Sequence, residues 1–442
     1  QRQRVMIAMS IANNPDLLIA DEPTTALDVT VQLQVLKLLK NLQQKLNMAI
    51  LFISHDLAVV KNFADYICIM KNGKILEKNT KDNIFNKPQH EYTKTLINFQ
   101  NSKKEKKQHI KKNILEIKNL RVWYPIKKGI LRRTIDYVKA VELINFNLLQ
   151  NQTLGIVGES GSGKSVTSLS INRLIPNPPG EIVGGQIIYN DIDLLSLSYE
   201  KMRALRGQDI AMIFQEPMTS LNPVTKIKVQ MNEILMQHLG LSEEEATTKS
   251  IKMLDSVGIP EPEKRINDYP HQFSGGMRQR VMIAMALQCN PALLIADEPT
   301  TALDVTIQAQ ILDLMMSLKE KRQDAAILLI THDLAVIAET CDRVIVMYGG
   351  KIQEIAEINE LFSNPKHPYT KALMDSIPKI DKKEKRLKAL KGMVPSILDY
   401  GDECKLCSRF DPEDCACGGT KIESDLIEIN NNHFVRCNPD IL

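Results

Sequence analysis

The chain has 442 residues, of which 43% are hydrophobic and 25% charged, and its formal net charge is +3. This composition is typical of a globular protein with two or three domains, and the near-neutral charge argues against a dedicated nucleic-acid binder. No apolar run approaches the roughly 18 residues that a membrane-spanning helix needs, so a membrane function would require spans from another chain. The sequence shows no secretory signal, which favours the cytosol.

The first feature along the chain is a segment that recurs far downstream. Residues 1–28 read QRQRVMIAMSIANNPDLLIADEPTTALD, and residues 277–304 read MRQRVMIAMALQCNPALLIADEPTTALD. The match continues through ISHDLAVV at 53–60 and ITHDLAVI at 330–337. A repeat of this length indicates a tandemly duplicated domain. Because the first copy begins in mid-domain, with Gln1 where a translation product has Met, we expect a truncated amino terminus.

The repeat divides the chain into four predicted segments. Residues 1–100 are predicted to be the carboxy-terminal part of a first, incomplete copy, and residues 114–378 a complete second copy. Residues 101–113 are rich in lysine and lack apolar periodicity, which is typical of a solvated linker. Residues 379–442 are predicted to form a cysteine-rich extension.

The second copy alternates short apolar runs with helical segments. Continuous apolar runs at Thr153–Val157, Ala292–Ala296 and Ala326–Ile330 predict buried parallel strands. Residues Lys164–Leu174 predict a helix directly after the first of these strands. The stretch Thr225–Asp268 has helical periodicity without a strong strand and predicts an inserted helical subdomain. The fold class is therefore α/β with a mainly parallel sheet.

A glycine-rich loop joins the first predicted strand to that helix and matches GxxxxGK[ST] from Gly158 to Ser165. Such a loop binds phosphate because its backbone N–H groups and the helix amino terminus converge on the anion. Lys164 is expected to reach the β- and γ-phosphates of ATP, and Ser165 to ligate Mg²⁺. The predicted phosphate-binding residues are Gly158, Ser160, Gly161, Gly163, Lys164, Ser165 and Val166.

Polar residues follow several apolar strands of the second copy. In LLIADEP at 293–299, the two acids Asp297 and Glu298 follow the apolar run. Asp297 is placed to hold Mg²⁺, directly or through water, and Glu298 is placed to act as general base on the attacking water. His332 follows the next strand, where a neutral imidazole could hydrogen-bond the γ-phosphate or position the attacking water. Gln215 follows a strand at Ile210–Phe214, within reach of Mg²⁺ or the water. The corresponding residues of the first copy are Asp21, Glu22, Asp28 and His55.

The segment FSGGMRQR at 273–280 resembles the signature motif of the ABC ATPases, a P-loop NTPase family. Gln215, Asp304 and His332 match the family's Q-loop, D-loop and switch histidine position for position. The resemblance implies that ATP is clamped between two ATPase domains, so that the phosphate loop of one faces the Ser-Gly-Gly of the other.

Two further sites follow from this resemblance. Ser274, Gly275 and Gly276 supply the Ser-Gly-Gly and precede a helix, so they can present N–H donors to a γ-phosphate across an interface. Tyr124 matches the position of the adenine-stacking aromatic. Trp123 lies beside it, and either ring could instead belong to the core.

The segments FQEPMTSLNP at 214–223 and NPKHPYT at 364–370 are similar to the peptide-importer subfamily. Its members take up dipeptides, oligopeptides, glutathione and sometimes nickel, and some are fused two-domain chains. The resemblance implies a peripheral subunit at the cytoplasmic face of the cell membrane that powers import through permease subunits. A substrate-binding protein outside the cell would be an indirect partner. Met218–Asn222 is the candidate transmission surface for the permease.

The first copy departs from the family pattern, because it lacks the phosphate loop, the Q-loop and the Ser-Gly-Gly. It cannot bind ATP by itself, so its four equivalent residues form a degenerate site. A complete ATP sandwich would need a second copy of this chain or the missing part of the first ATPase domain.

The extension contains five cysteines, Cys404, Cys407, Cys415, Cys417 and Cys437. Their spacing in a cytosolic protein suggests metal rather than disulfides. Four thiolates could bind Zn²⁺ or an iron–sulfur cluster, and the resemblance supports this because some peptide-importer ATPases hold such a cluster in their extension. The alternative is a set of free thiols in a loop-rich tail.

Two other functions compete with peptide import. One is a soluble ABC ATPase acting in translation or DNA maintenance, but those proteins tend to have long charged linkers and this linker is short. The other is an inactive gene fragment, which the missing first phosphate loop favours and the intact second copy argues against. The sequence leaves the transported substrate open, because specificity in this family lies in other subunits.

Overall fold

The computed structural model describes most of the chain. The described residues are 2–23, 29–54, 57–71, 73–98, 112–129, 133–216, 220–300, 303, 305–376, 404–411, 415–417, 420, 424–430 and 432–438. They belong to two compact units. The small unit contains residues 1–105, 304–306 and 372–390, and the large unit contains residues 106–303, 307–371 and 391–442.

The small unit alternates helices and short strands. Its elements are α1 (Arg2–Ile11), β1 (Leu17–Asp21), α2 (Val29–Leu46), β2 (Ala49–Ile53), α3 (Leu57–Phe63), β3 (Tyr66–Lys71), β4 (Lys74–Thr80), α4 (Lys81–Asn86) and α5 (Glu91–Asn98). Strands β1 and β2 pair in parallel, and β3 and β4 form an antiparallel hairpin.

The small unit buries only one side of its parallel strand pair. Leu18 packs with Val35 and Leu39 in an apolar cluster. On the other side of β1, Leu17 is 52% exposed and Ile19 is 61% exposed. The corresponding strand of the large unit is fully buried, so the same residue sequence LLIAD has a covered second face there and an open one here.

The large unit begins with two long strands and contains all the remaining described strands. Its strands are β5 (Asn113–Lys128), β6 (Arg133–Leu149), β7 (Thr153–Val157), β8 (Glu181–Tyr189), β9 (Ile192–Asp193), β10 (Ile210–Ile213), β11 (Leu293–Asp297), β12 (Ala326–Ile330), β13 (Arg343–Tyr348), β14 (Lys351–Glu357), β15 (Leu426–Asn430) and β16 (His433–Arg436).

Helices cover these strands. They are α6 (Lys164–Ile171), α7 (Tyr199–Leu205), α8 (Ile227–Leu239), α9 (Glu243–Ser256), α10 (Pro262–Arg265), α11 (Gly275–Leu287), α12 (Val305–Lys321), α13 (Leu334–Thr340), α14 (Ile358–Ser363) and α15 (Pro368–Asp375). The stretch Thr225–Asp268, which the sequence predicts to be helical, is the segment that forms α8, α9 and α10.

The main sheet has the strand order β10-β11-β12-β7-β13-β14-β16-β15. The first five strands run parallel, which confirms the predicted parallel sheet, and the last three extend it antiparallel. Strands β7, β11 and β12 have no exposed residue because layers cover both faces. A second, antiparallel sheet, β6-β5-β8-β9, packs in the same apolar core.

Strand register fixes one edge of the main sheet. Asp297 pairs with Ile330, and Ile330 pairs with Ile156. The residues that follow β11, β12 and β7 therefore leave the sheet side by side. In an open parallel sheet, this carboxyl edge is where ligand-binding loops meet.

Candidate functional site

The glycine loop lies between the end of β7 at Val157 and the start of α6 at Lys164. Gly158 has φ 147° and Gly163 has φ 98°, a region of backbone conformation that side chains rarely adopt. A Cβ on Gly158 would lie 2.1 Å from the carbonyl oxygen of Met347, and one on Gly163 would lie 2.6 Å from that of Ala140. These two glycines are therefore required for the loop to pack against β13 and β6.

Lys164 is 7% exposed, and its ammonium group lies inside this loop. It donates hydrogen bonds to the carbonyl oxygens of Gly158, at 2.7 Å, and Glu159, at 3.0 Å, and to the hydroxyl of Ser162, at 3.2 Å. Ser160 and Gly161 are exposed at the loop tip. A buried cation, the backbone N–H groups of a glycine-rich loop and the amino terminus of α6 together suit a polyphosphate.

Asp297 ends β11 and is 3% exposed. Its Oδ2 accepts a hydrogen bond from the Ser168 hydroxyl at 3.3 Å, and Ser165 also bonds this carboxyl. Its buried Oδ1 has no hydrogen-bond partner among the described residues. Burial, reinforced by the nearby Glu298 charge, raises the pKa of Asp297 to about 6. A buried carboxylate oxygen without a partner, beside a serine hydroxyl, fits a divalent cation.

Glu298 lies at a sharp turn, with φ 49°, and its N–H donates to the carbonyl oxygen of Ile330 at 2.8 Å. Its Oε1 lies 3.3 Å from Nδ1 of His332. Burial lowers the pKa of His332, but the hydrogen bond and charge of Glu298 outweigh it, so the pKa lies above 6.5. From the sequence, we expect a neutral imidazole at this position, whereas the Glu298 carboxylate favours the protonated form.

Gln215 follows β10, which pairs with β11 up to Ala296. Its side chain is exposed at the same carboxyl edge of the sheet as Asp297 and Glu298. The fold therefore collects five of the predicted residues at this edge, namely Gln215, Asp297, Glu298, His332 and Lys164.

The Ser-Gly-Gly motif opens α11. Ser274 is the N-cap, and its hydroxyl accepts a hydrogen bond from the N–H of Met277 at 3.3 Å. Ser274 and Gly275 are exposed, and among the described residues beyond its own helix and chain neighbours, no atom lies within 4 Å of where a Cβ on Gly275 would be. Gln279, one turn later, is buried and donates to the carbonyl oxygen of Pro299 at 2.8 Å. This bond joins the signature helix to the turn that carries Glu298.

Tyr124 is half-buried on β5, opposite Val138 of β6. A Cβ on Gly180 would lie 2.6 Å from its ring, so the ring packs closely over this glycine. Trp123 donates its indole N–H to Glu142 at 2.6 Å and is held in that contact. Of the two adjacent rings, Trp123 therefore has a structural partner of its own.

Some of the site residues predicted from the sequence fall outside the described part of the chain, and others lie in the small unit. Asp28, His55, Met218 and Asp304 lie outside the described residues. In the small unit, Asp21 ends β1 and is exposed, and Glu22 has φ 44° and donates its N–H to the carbonyl oxygen of Ile53 at 2.9 Å. Glu22 therefore has the same backbone geometry as Glu298, although its unit contains no phosphate loop.

Residues His367–Tyr369, here called the His-x-Tyr segment, contact the phosphate loop. The sequence did not predict this contact. Glu354 accepts hydrogen bonds from the N–H groups of Lys366, at 2.8 Å, and His367, at 3.0 Å. Burial lowers the pKa of His367 to about 4, and its neutral Nδ1 accepts the N–H of Tyr369 at 3.1 Å. The Tyr369 hydroxyl accepts the N–H of Glu159 at 3.0 Å.

The same arrangement recurs in the small unit. Glu77 accepts hydrogen bonds from the N–H groups of Gln89, at 2.9 Å, and His90, at 3.0 Å. The N–H of Tyr92 donates to Nδ1 of His90 at 3.1 Å. These contacts match those of Glu354, His367 and Tyr369 one by one, so the two segments share local structure as well as sequence.

Four of the five tail cysteines form one group. The sulfur atoms of Cys404, Cys407, Cys415 and Cys417 all lie within 4.8 Å of one another. Three of the four residues are buried, and Cys407 is half-buried. Cys437 is also buried but is not a member of the group. Four sulfur atoms this close together match the ligand shell of one tetrahedral metal ion, because Zn–S bonds of about 2.3 Å place the four ligands within about 4 Å of one another.

No helix within the described residues is long and apolar enough to cross a bilayer. The ABC transporter family profile matches residues 141–301. A second profile, the C-terminal region of oligopeptide/dipeptide transporters, matches residues 76–120 and 353–416.

Curated proteins similar to this chain are named as ATP-binding proteins of transport or import. The peptidoglycan transport ATP-binding protein YejF of Agrobacterium fabrum is 44% identical, and the match covers 85% of this chain and 67% of that protein. The oligopeptide transport ATP-binding protein OppD of Bacillus subtilis is 47% identical over 73% of this chain and 88% of that protein. The glutathione import ATP-binding protein GsiA of Escherichia coli O157:H7 is 42% identical over 85% of this chain and 63% of that protein.

Proposed function

The chain belongs to the ABC transporter ATP-binding proteins that carry the oligopeptide/dipeptide C-terminal region, and we propose that its ATPase powers peptide import through a membrane permease. The observation that carries the proposal is that the large unit contains both the predicted ATP-site residues and a segment typical of peptide transporters. The phosphate loop, Asp297 and Glu298 meet at one sheet edge, and the His-x-Tyr segment typical of peptide transporters contacts that loop through Tyr369.

In the proposed mechanism, Lys164 and the loop N–H groups bind the phosphates of ATP. Ser165, Asp297 and Gln215 would hold Mg²⁺, which neutralises phosphate charge when bound. Asp297 suits this role because its buried Oδ1 has no hydrogen-bond partner in the part of the chain that the structure describes. Tyr124, on the hairpin next to the loop, would stack on the adenine.

Glu298 would accept the proton of the attacking water, and His332 would hold Glu298 in position through the 3.3 Å contact. A protonated His332 also places a positive charge where the γ-phosphate leaves. Gln215 would orient the same water from the neighbouring strand end.

A complete site needs a second ATPase domain. The exposed Ser274 and Gly275 leave their N–H groups open to a γ-phosphate from another domain, with Gly276 behind them. Asp304 would act at the same interface. We propose that the partner is a second copy of this chain or a complete first domain.

The matching contacts of the small unit support a tandem duplication in which the first copy is incomplete. Its site residues, Asp21 and Glu22 among them, have no phosphate loop to serve. Its exposed Leu17 and Ile19 occupy positions that are covered in the large unit. The equivalent Leu293 and Ile295 pack in a core with residues of the antiparallel sheet and of α6, so the equivalent layer would cover Leu17 and Ile19 in a complete domain.

The proposed place of action is the cytoplasmic face of the cell membrane, where permease subunits receive the ATPase. A substrate-binding protein would deliver peptides to the permease from outside. The transport names of the relatives favour this function over a role in translation or DNA maintenance and over an inactive fragment. The candidate transmission surface is Met218–Asn222, and Val224, two residues further, is 80% exposed.

The proposed function is tested by isolating the tagged chain with its permease. We expect the permease to co-purify and to stimulate ATP hydrolysis, and the rate without permease to rise more steeply than linearly with chain concentration. Val224→Asp should weaken permease binding by about ten-fold, because it places a charge in an apolar contact. Val183→Asp, at a 38% exposed valine on β8, is the matched control. Co-purification with ribosomes or DNA instead would contradict the importer.

We also propose that the four-thiol group binds Zn²⁺ or an iron–sulfur cluster, to which the residues would supply thiolate ligands. Cys407→Ser is expected to lower bound metal to near zero, because three thiolates bind such ions far more weakly than four. Cys437→Ser should retain the metal, since Cys437 lies outside the group. Metal per chain is measured by mass spectrometry after aerobic and anaerobic purification, and equal loss in both variants would refute this ligand set.

A further inference from the structure

A buried ion pair joins the cysteine-rich tail to the phosphate loop. Both terminal nitrogens of the Arg409 side chain donate hydrogen bonds to the carboxylate of Glu159. Nη1 donates to Oε2, and Nη2 donates to Oε1 at 3.1 Å. The side chains are 1% and 3% exposed. Two-point pairing of a guanidinium with a carboxylate fixes the orientation of both groups. Loss of either partner would leave a buried charge without compensation, which is strongly unfavourable.

Glu159 is the second residue of the phosphate loop, and its backbone is part of the binding geometry. Its carbonyl oxygen accepts a hydrogen bond from the Lys164 ammonium at 3.0 Å, and its N–H donates to the Tyr369 hydroxyl. The carboxylate held by Arg409 and the carbonyl held by Lys164 belong to the same residue. A change in the position of the carboxylate therefore changes the loop backbone and the lysine together.

Arg409 is held in place by the turn that carries the cysteines. Residues 404–410 form consecutive tight turns, in which Cys407 N–H donates to the Cys404 carbonyl oxygen at 3.3 Å and Arg409 N–H donates to that of Leu406 at 2.9 Å. The Lys405 ammonium bonds the carbonyl oxygen of Gly349, next to β13. The Arg409 guanidinium also lies 5.8 Å from the ring centre of Tyr348.

We propose that Arg409 is a positioning residue for the phosphate loop, and that the four-thiol group, by fixing the turn that bears Arg409, sets the affinity of the ATPase for ATP. The proposal has two halves: the positioning role of Arg409, and the effect of the four-thiol group on ATP affinity. Only the second half rests on the proposed metal binding of the thiols. Metal loading orders the turn, the turn holds Arg409 against Glu159, and Glu159 keeps the loop backbone in its nucleotide-binding form. Linkage makes the effect reciprocal, so bound nucleotide must strengthen metal binding by the same factor.

The first half is tested with Arg409→Gln, Glu159→Gln and the double variant in the full chain. The affinity for ATPγS is measured by calorimetry with Mg²⁺. Each single variant should raise Kd by about ten-fold or more, and the double variant should be no weaker than the worse single one, because removing both charges leaves none unpaired. At saturating ATP, Arg409→Gln should leave kcat unchanged while KM rises. A purely structural loss would lower kcat and the active fraction with it.

The second half is tested with Zn²⁺ as the probe. Chelation of Zn²⁺ from the wild-type chain, or Cys407→Ser, should raise Kd for ATPγS by about the same factor as Arg409→Gln. In Arg409→Gln, chelation should have no further effect. Saturating ATPγS should tighten Zn²⁺ binding by that factor in the wild type. Cys289→Ser, at a buried cysteine outside the tail, is the control. Thermal unfolding verifies that each variant is folded, and the chelated wild type replaces Cys407→Ser if that variant is not.

The outcomes separate the two halves. An unchanged Kd in Arg409→Gln overturns the positioning role. A chelation effect that persists in Arg409→Gln overturns the route through Arg409. If the chain binds no Zn²⁺ and no iron–sulfur cluster, the metal proposal and the second half fall together, whereas additive effects of Arg409→Gln and Glu159→Gln would overturn the first half by itself.

Discussion

Replacing Glu298 by glutamine is expected to lower the rate of ATP hydrolysis by about 100- to 10,000-fold, the loss that removal of a general base produces. The amide has the size of the carboxylate and can still contact His332, but it cannot accept the proton of the attacking water. Because Lys164 and the glycine loop are untouched, Kd for ATPγS should stay within about two-fold of the wild-type value. Phosphate release at saturating ATP and calorimetry measure the two quantities.

The small unit provides a matched control for this prediction. Glu22 follows β1 as Glu298 follows β11, with φ 44° against 49°. Its unit has no phosphate loop, so Glu22→Gln should leave hydrolysis unchanged. If Glu22→Gln slows hydrolysis as much as Glu298→Gln does, or if Glu298→Gln keeps more than about a tenth of the rate, Glu298 is not the general base.

Replacing Asp297 by asparagine is expected to have opposite effects on activity and stability. Hydrolysis should fall by about 1,000-fold, because Mg²⁺ loses its buried carboxylate ligand. The protein without nucleotide and Mg²⁺ should become more stable, because a carboxylate in a 3% exposed site no longer has to ionise. The pKa of Asp297 is raised from 3.8 to about 6. At about 1.4 kcal/mol per pKa unit, the gain at pH 8 is on the order of 1–3 kcal/mol.

The pH dependence of this gain has a definite sign. A carboxyl pKa that is higher in the folded protein means that the folded state binds a proton more tightly between pH 3.8 and about 6. Wild-type stability therefore falls as pH rises through this window, and the loss is complete above it. Urea unfolding in EDTA should show the advantage of Asp297→Asn at pH 8 and little of it near pH 4.

The exposed Asp21 is the control for the stability effect, and Asp21→Asn should change the free energy of unfolding by less than about 0.5 kcal/mol at any pH. An Asp297→Asn advantage that is the same at pH 4 and pH 8 would show that ionisation is not its cause.

Local sequence was sufficient for the phosphate loop and the main strands. The glycines, Lys164 and Ser165 act within eight consecutive residues, and φ values above zero at Gly158 and Gly163 require the residues that are present. The apolar runs before Asp297 and after Asp324 predict buried strands, because neighbouring residues alone determine that pattern. The helical insertion between β10 and β11 was found in the same way.

The sequence did not predict which distant strands and side chains pair with one another. The antiparallel sheet of β5, β6, β8 and β9 was not predicted, since the β5–β6 hairpin has several register shifts and β5 pairs with β8 from far along the chain. The contact between Glu298 and His332 was not predicted, and the carboxylate's effect on the pKa of His332 depends on a distance that sequence spacing does not supply.

The sequence by itself determined that the chain is a P-loop ATPase with a recurring segment, a cysteine-rich tail and a nearly complete set of site residues. Tertiary structure decided which cysteines form a group, excluding Cys437, and that Arg409 pairs with Glu159 from 250 residues away. The reason is physical. A phosphate-binding loop is specified by the backbone conformations of consecutive residues, so its sequence is enough to recognise it. Metal-ligand sets and buried ion pairs depend on how distant segments of the chain pack together. The number of residues between such partners follows no rule that the sequence would reveal.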